Sequence, residues 1–235
     1  MAEKIGIAVV GMGRVSQAHI DSIRLNPETT WLAAVVDIEE SLARAAAEKY
    51  HTRFYTSVEA ALNDPNIQAM VVCLPHNLHK PVALKVIESG RHVLVEKPMA
   101  TSLAEAKEMV EKARGKGVVL MAGQCYRFMA GFQEAKRRLK KEVGEPFNFV
   151  YTVACGFNRM PAPPWWQYEE KTGGLAFLIV GSHGVDMTVW MYEGKKPIRV
   201  YAEAFSRNPK FEGRDEIVIV TTFDDESMAT NHLSL

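Results

Sequence analysis

The sequence predicts an α/β protein, with a doubly wound parallel sheet in its first half and an α+β second half whose sheet is mostly antiparallel. Three observations carry this prediction. Strand-like apolar runs alternate with helical periods for about 120 residues with no long structureless loop, the pattern of parallel strands joined by helical crossovers. The first apolar run opens directly into a Gly-x-Gly turn and a helix. After Gly123-Gln124 the alternation gives way to four longer strands of in–out character. We place the boundary there, giving domains of 1–123 and 124–235.

The elements follow in order. Ile5–Val10 reads as a buried strand, then Gly11-Met12-Gly13-Arg14-Val15-Ser16, then a helix with Val15, His19, Ile20 and Ile23 on one side, closed by Asn26-Pro27. Trp31–Val36 is the second strand and ends at Asp37. A helix over Ser41–Tyr50, a short strand at Phe54-Tyr55 and a helix over Ser57–Leu62 lead to the turn Asp64-Pro65-Asn66. The strand Ala69–Leu74 enters Pro75-His76-Asn77-Leu78-His79 and a helix stopped by Gly90. The strand His92–Val95 delivers Glu96-Lys97-Pro98. Ser102-Leu103-Ala104-Glu105 is a capping box for a helix to about Lys116, and Val118–Ala122 is the last strand of this half. Beyond it, Phe132–Lys141 is a basic amphipathic helix. Phe147–Ala154, Ile198–Phe205, Glu216–Phe223 and Ser227–Leu235 are strands, with Asp224-Asp225-Glu226 turning between the last two. A Pro- and Trp-rich loop, Met160–Trp166, precedes a helix over Gly174–Tyr192.

Composition bounds the function. The 235 residues carry 28 basic and 28 acidic side chains, so no net charge favours nucleic acid or an anionic membrane. No apolar run reaches transmembrane length, and the amino terminus lacks a signal-peptide core. Three widely spaced cysteines, Cys73, Cys125 and Cys155, fit reduced thiols in a cytoplasmic protein. His76 and His79 have the spacing of a metal pair, but no Cys or carboxylate cluster joins them, so no metal site is expected.

The chemistry concentrates at strand ends. In the turn Gly11, Met12, Gly13, Arg14 and Val15, the first glycine permits the tight bend and the second lets a pyrophosphate approach the backbone. The following helix offers free N–H groups and a positive dipole end, and Ser16 is small enough for close helix–strand packing. Asp37, some twenty residues on, is placed to accept from a ribose 2′-hydroxyl and to repel a 2′-phosphate. With Ile38 rather than Arg behind it, NAD is expected over NADP; the alternative is that Asp37 caps the next helix. Lys97 arrives where open α/β sheets bind ligands, and partial desolvation there would suit it to proton transfer. Taken alone, Glu96-Lys97-Pro98 reads first as a solvated Lys paired with Glu96. Trp165-Trp166 suits either stacking on a substrate ring or packing of its loop.

The motifs Gly11–Ser16, Pro75–His79, Glu96-Lys97-Pro98, Gly123–Phe128 and Gly173–Asp186, in this order and spacing, resemble those of the glucose-fructose oxidoreductase / inositol 2-dehydrogenase / rhizopine-catabolism (Gfo/Idh/MocA) family. The resemblance spans the chain. It implies a Rossmann domain, NAD, and dehydrogenation of a sugar or cyclic polyol, with a dimer or tetramer formed through the second-domain sheet. It implies Lys97 as the catalytic Lys and His183 as its helper at the reacting hydroxyl. Glu96 would face the cofactor side, Leu74, Pro75, Asn77 and His79 would line the cofactor path, and Gln124 would lie near the nicotinamide ribose or carboxamide. Tyr126, Arg127, Trp166 and Asp186 are the substrate candidates.

Two departures stand out. The family's pattern places Asp four residues before the His, where this chain has Ile179. The family also runs on for roughly another hundred residues, a length consistent with two full domains. A short variant or a fragment is therefore expected. Within the same fold, the alternatives are an NAD-assisted glycosidase or epimerase-type enzyme, and a regulator that binds the cofactor without turnover.

Overall fold

The computed structural model describes residues 4–156 and 163–235. The chain divides into two compact units, Met1–Gly123 and Gln124–Leu235.

In the first unit six parallel strands stand in the order β3-β2-β1-β4-β5-β6: β1 (Ile5–Val10), β2 (Thr30–Val36), β3 (Arg53–Tyr55), β4 (Ala69–Val72), β5 (His92–Val95) and β6 (Leu120–Ala122). Alternate residues of the central strands go to opposite faces, as the pleat requires. Ala8, Val10, Met70 and Val72 join one core with helices α3 (Val58–Leu62), α4 (His79–Glu88) and α5 (Leu103–Lys116). Val9, Val35 and Val71 join another with Ile20 and Ile23 of α1 (Ser16–Leu25) and Ala47 of α2 (Glu40–Tyr50). Both faces are covered, which is why these strands read as unbroken apolar runs. The strand order reverses between β1 and β4, and open sheets of this kind bind ligands at that point, beyond the strands' carboxyl ends.

The capping box at Ser102 is half realised. Ser102 Oγ accepts from the Glu105 N–H, but the Glu105 carboxylate turns to the N–H and hydroxyl of Thr101 instead of the Ser102 N–H. The Thr101 hydroxyl offers a second donor that Ser102's backbone lacks.

The second unit is a four-stranded sheet, β7-β10-β9-β8, formed by β7 (Asn148–Ala154), β8 (Pro197–Phe205), β9 (Glu216–Phe223) and β10 (Met228–Ser234). The β8–β9 and β9–β10 pairs are antiparallel, while β7 joins β10 in parallel. Asp224–Glu226 turn between β9 and β10, with Glu226 at φ 66°. Three further helices, α6 (Ala130–Arg138), α7 (Glu169–Thr172) and α8 (Ser182–Met191), belong to this unit.

Three expectations need correction. The helix expected over Gly174–Tyr192 is not uniform: a π-turn at Phe177–Gly181 precedes α8. The helical path Glu169–Met191, at 23 residues, is long and apolar enough to cross a membrane by length and composition, against the expectation that no run would be; 56% of its most apolar window is buried in protein, as befits a core helix. Within the Met160–Trp166 loop, residues 160–162 lie outside the described residues, and Pro164–Gln167 form a 3-10 turn rather than irregular chain.

The sheet and α8 approach unusually closely. A Cβ on Gly181 would lie 2.6 Å from Leu233 Cδ1, and one on Gly184 would lie 2.4 Å from Asn231 Oδ1 and 2.6 Å from Tyr151 Cδ1. The small residues flanking His183 let the helix backbone settle on β7 and β10.

Candidate active site

The glycine turn is built for a close approach. Gly11 has φ +90°, and a Cβ there would lie 2.5 Å from the Cys73 carbonyl oxygen, so no other residue fits without movement. Its N–H donates to the Val36 carbonyl, which draws the turn over the end of β2. At Gly13 an added Cβ would meet nothing within 4 Å, and Arg14 and Val15 beside it are exposed. Ser16 is buried and donates its hydroxyl to the Gly13 carbonyl over 2.6 Å. The α1 helix that follows has no side-chain cap and no acidic residue in its first turn, so nothing in the helix offsets its positive end. Open space at Gly13 and an uncapped helix start fit a pyrophosphate.

Asp37 does more than its sequence position shows. Its Oδ2 accepts from the Met12 N–H over 2.7 Å, and its Oδ1 from the Glu39 N–H over 2.9 Å. It does not cap α2, whose N-cap is Glu39. A carboxylate offers about four acceptor sites, so room remains for ribose hydroxyls.

Lys97 and Glu96 stand at the carboxyl end of β5, both half-buried. Glu96 Oε1 lies 2.7 Å from His19 Nε2, and its Oε2 accepts from the Lys97 N–H over 3.0 Å. Burial alone would raise the Glu96 carboxyl, but the His19 hydrogen bond and charge, with the Lys97 N–H, hold it below its ordinary value of 4.5. His19 is on α1, so this pair ties the helix behind the glycine turn to the segment that carries Lys97. Sequence reasoning saw His19 only as a face residue. Removing it should show in stability. A carboxyl with a depressed folded-state pKa stabilises the fold above its ordinary value and loses that contribution as pH falls. His19→Ala should therefore cost about 1–2 kcal/mol at pH 7, with the gap to the parent chain narrowing toward pH about 4. Urea unfolding at both pH values measures it; a pH-independent gap would mean the loss is packing alone.

Leu74, Pro75 and Asn77 follow β4, with Asn77 exposed. His79 does not line a path. It is completely buried, its Nδ1 2.7 Å from the Pro98 carbonyl oxygen and its Nε2 2.8 Å from that of Leu74. Burial pulls its pKa down while the two carbonyls oppose the shift. It fastens the loop after β4 to the one after β5, so its contribution to the site is positional. Burial, with help from the Glu96 charge, pushes the Cys73 thiol up to about 12, as suits an inert packing residue. Among the described residues, no group of three or more His, Cys, Asp or Glu side chains is arranged to hold a metal ion.

In the second unit the candidates meet one another. The His183 ring, buried, stacks on Tyr126 with centroids 4.3 Å apart and planes 9° from parallel. Arg127 donates to both oxygens of Asp186, over 2.8 and 2.7 Å. Gln124 Nε2 is 3.4 Å from the Ser182 carbonyl oxygen. Arg127 and Asp186, expected to touch substrate, thus brace the 3-10 turn Cys125–Phe128 against α8 by a bidentate pair. Trp166 sits on the Pro164–Gln167 turn, its ring edge-on to Trp165. Ile179, at the position of the missing acid, is 2% exposed. Elsewhere in the first unit a cavity of about 380 Å³ lies between α1 and α2, lined by Met12, Gly13, Arg14, Lys49 and Tyr50 among others, and neither Asp37 nor Lys97 borders it.

Fold and glycine turn together define a dinucleotide-binding Rossmann unit followed by a mixed α+β unit. Residues 5–124 match the model of the oxidoreductase family with an NAD-binding Rossmann fold, and residues 132–235 match the GFO/IDH/MocA C-terminal domain. The chain belongs to the Gfo/Idh/MocA oxidoreductase family. It is 30% identical to an uncharacterized oxidoreductase, YrbE, of Bacillus subtilis, over 97% of this chain and 67% of that protein. It is 29% identical to the myo-inositol 2-dehydrogenase of Thermotoga maritima, over 84% of this chain and 57% of that one. A solved structure of the WlbA dehydrogenase of Bordetella pertussis, in complex with NADH and UDP-GlcNAcA, superposes with a TM-score of 0.89 at 28% identity, covering 99% of this chain and 72% of that one. The chain thus spans 57–67% of the length of these two curated relatives.

Proposed function

We propose that this chain is an NAD-dependent dehydrogenase of a sugar or cyclic polyol, with residues 1–123 binding the cofactor and 124–235 contributing the substrate side and self-association. One observation carries the reading. Lys97 is delivered half-buried at the carboxyl end of a central strand, on a segment tied through Glu96 and His19 to the helix that starts at the glycine turn. Gly11–Val15 would hold the pyrophosphate, Asp37 the adenosine ribose, and Leu74, Pro75 and Asn77 the path onward. With a carboxylate at Asp37 and the exposed, uncharged Ile38 behind it, a 2′-phosphate meets repulsion from the first and no charge partner in the second, which favours NAD.

When bound, nicotinamide supplies the acceptor for the hydride leaving a substrate carbon. The chain's part is the proton: Nζ of Lys97, entering as the free amine, takes it from the substrate hydroxyl as the carbonyl forms. Tyr126 would position the ring through its stack with His183, and Trp166 would offer an aromatic wall. The inositol in the name of one relative and the UDP-GlcNAcA held in the structure of another support the polyol or sugar class. A second reading, a binder that has lost turnover, is favoured by the buried Ile179 at the acid's position.

Titration with NADH and NADPH, followed by a panel of cyclic polyols and sugars read by the absorbance of the reduced nicotinamide, separates these readings. We expect NADH to bind at least about tenfold more tightly than NADPH and one substrate class to be oxidised. Binding without any turnover selects the second reading; no binding of either nucleotide overturns both.

A further inference from the structure

The proton transfer leaves one charge beside Lys97 unused, that of Glu96. Its side chain is 16% exposed, and its carboxylate is held on three sides. His19 Nε2 lies 2.7 Å from Oε1 and is the donor there, since an ionised carboxylate only accepts. The Lys97 N–H donates to Oε2 over 3.0 Å. On the third side is Gly123, next after β6. A Cβ there would stand 3.2 Å from Oε1 and 3.3 Å from Cδ of Glu96, so any side chain at 123 would crowd the carboxylate.

Removing a carboxylate from water costs stability unless its partners are good, so a fixed anion at this depth needs a reason. Its place supplies one. The strand order reverses between β1 and β4, and the His19–Glu96 bond spans that reversal, from the helix behind the glycine turn to the end of β5. A dinucleotide reaching from Gly11–Val15 to Lys97 crosses the same gap. The charge is felt there: burial first, and Glu96 second, raise the Cys73 thiol just past β4. The two redox forms of nicotinamide differ by one charge, the oxidised ring being a cation and the reduced ring neutral. A carboxylate fixed in a half-buried place attracts the first and is indifferent to the second.

We propose that Glu96, held by His19 and given room by Gly123, sets the balance between the two redox forms of the bound cofactor and favours the oxidised one. The inference rests on the proposed cofactor reading and adds to it a role for a residue outside the proton transfer. Before hydride transfer Glu96 helps to seat the cationic ring. The hydride arriving from the substrate carbon, with its electron pair, cancels that positive charge, and Glu96 then holds the reduced cofactor less firmly.

The test is the pair of Kd values for NAD⁺ and NADH, each from calorimetric titration of the whole chain without substrate. Glu96→Gln keeps the size of the side chain and an acceptor oxygen and removes the charge. NAD⁺ should weaken about tenfold relative to NADH, a shift of about 30 mV in the potential of the bound couple. His19→Ala breaks the same hydrogen bond but leaves the carboxylate, so it should not weaken NAD⁺ relative to NADH. Thermal melts show whether each variant is folded, and if Glu96→Gln is not, Glu96→Met, neutral and in need of no partner, repeats the test. A ratio that stays within about threefold of the parent's in the neutral variant overturns the proposal while the cofactor reading stands. An equal relative loss of NAD⁺ in His19→Ala also overturns it, because the pair then acts as a brace and not as a charge. A parent chain that binds neither nucleotide overturns the cofactor reading, and this inference with it.

Discussion

Lys97→Ala should lower kcat by roughly three orders of magnitude while NADH binds as it does to the parent chain. A positioned general acid–base contributes about 10²–10⁴ in rate. The loop that carries Lys97 is held from outside its side chain: Glu96 accepts from the Lys97 backbone N–H, which the substitution leaves in place, and His79 holds the Pro98 carbonyl. The glycine turn and Asp37 are likewise untouched, so the binding surface for the nucleotide persists. Lys97→Arg should not rescue the rate, because a guanidinium stays protonated in proteins and cannot accept the hydroxyl proton. Steady-state rates on the best substrate of the panel, beside NADH titrations of the same preparations, decide the matter. Turnover within tenfold of the parent would remove Lys97 from the chemistry. Loss of binding along with turnover would make it a structural residue.

Gly184→Ala should be the most damaging single methyl in the second unit, costing about 2 kcal/mol by overpacking. The new Cβ would stand 2.4 Å from Asn231 Oδ1 and 2.6 Å from Tyr151 Cδ1, closer than carbon atoms come. Neither neighbour has an easy retreat. Asn231 is 1% exposed in the middle of β10, its Nδ2 donating to Thr188 Oγ1, which in turn donates to the Gly184 carbonyl. Tyr151 packs with the core formed by Ala176, Ile217, Ile219 and Leu233. The helix must therefore lift from the sheet, and His183, one residue before, moves with it. Gly115→Ala is the matched control: it lies in the last turn of α5, an added Cβ meets nothing within 4 Å, and the change should stabilise by about 0.5–1 kcal/mol. Thermal unfolding of both variants reads the contrast; if Gly184→Ala melts with the parent, the close approach of α8 is not a constraint on the fold.

The first unit was legible in the sequence because its signals are local. A strand buried on both faces must be apolar throughout, a glycine turn must precede its helix, and Gly90 must stop one. Asp37 could be placed for the same reason, by its distance from the turn. What stayed hidden were pairings between residues distant in the chain. His19 and Glu96 are 77 positions apart and Arg127 and Asp186 59, and nothing in residue type says that they meet. His79 looked like a ligand residue because it stands in a motif at a strand end, but its burial depends on where the Pro98 carbonyl falls. In the second unit the strands and their turn were readable from alternation. The π-turn before α8 was not, since it answers to packing on the sheet rather than to any residue that breaks a helix. The glycines beside His183 were visible, and only the coordinates show that protein atoms fill the space they leave.

The bond from the Met12 N–H to Asp37 has a practical corollary for anyone wishing to retune this protein toward the phosphorylated nucleotide. On the proposed reading, the acid that would reject the extra phosphate is also the anchor of the loop that would receive the pyrophosphate. Exchanging it for a basic residue, or for a neutral one without an acceptor oxygen, would unfasten the loop in the same stroke. A successful redesign would have to supply a new acceptor for that amide, from Ser, Asn or Gln, before any cation is added.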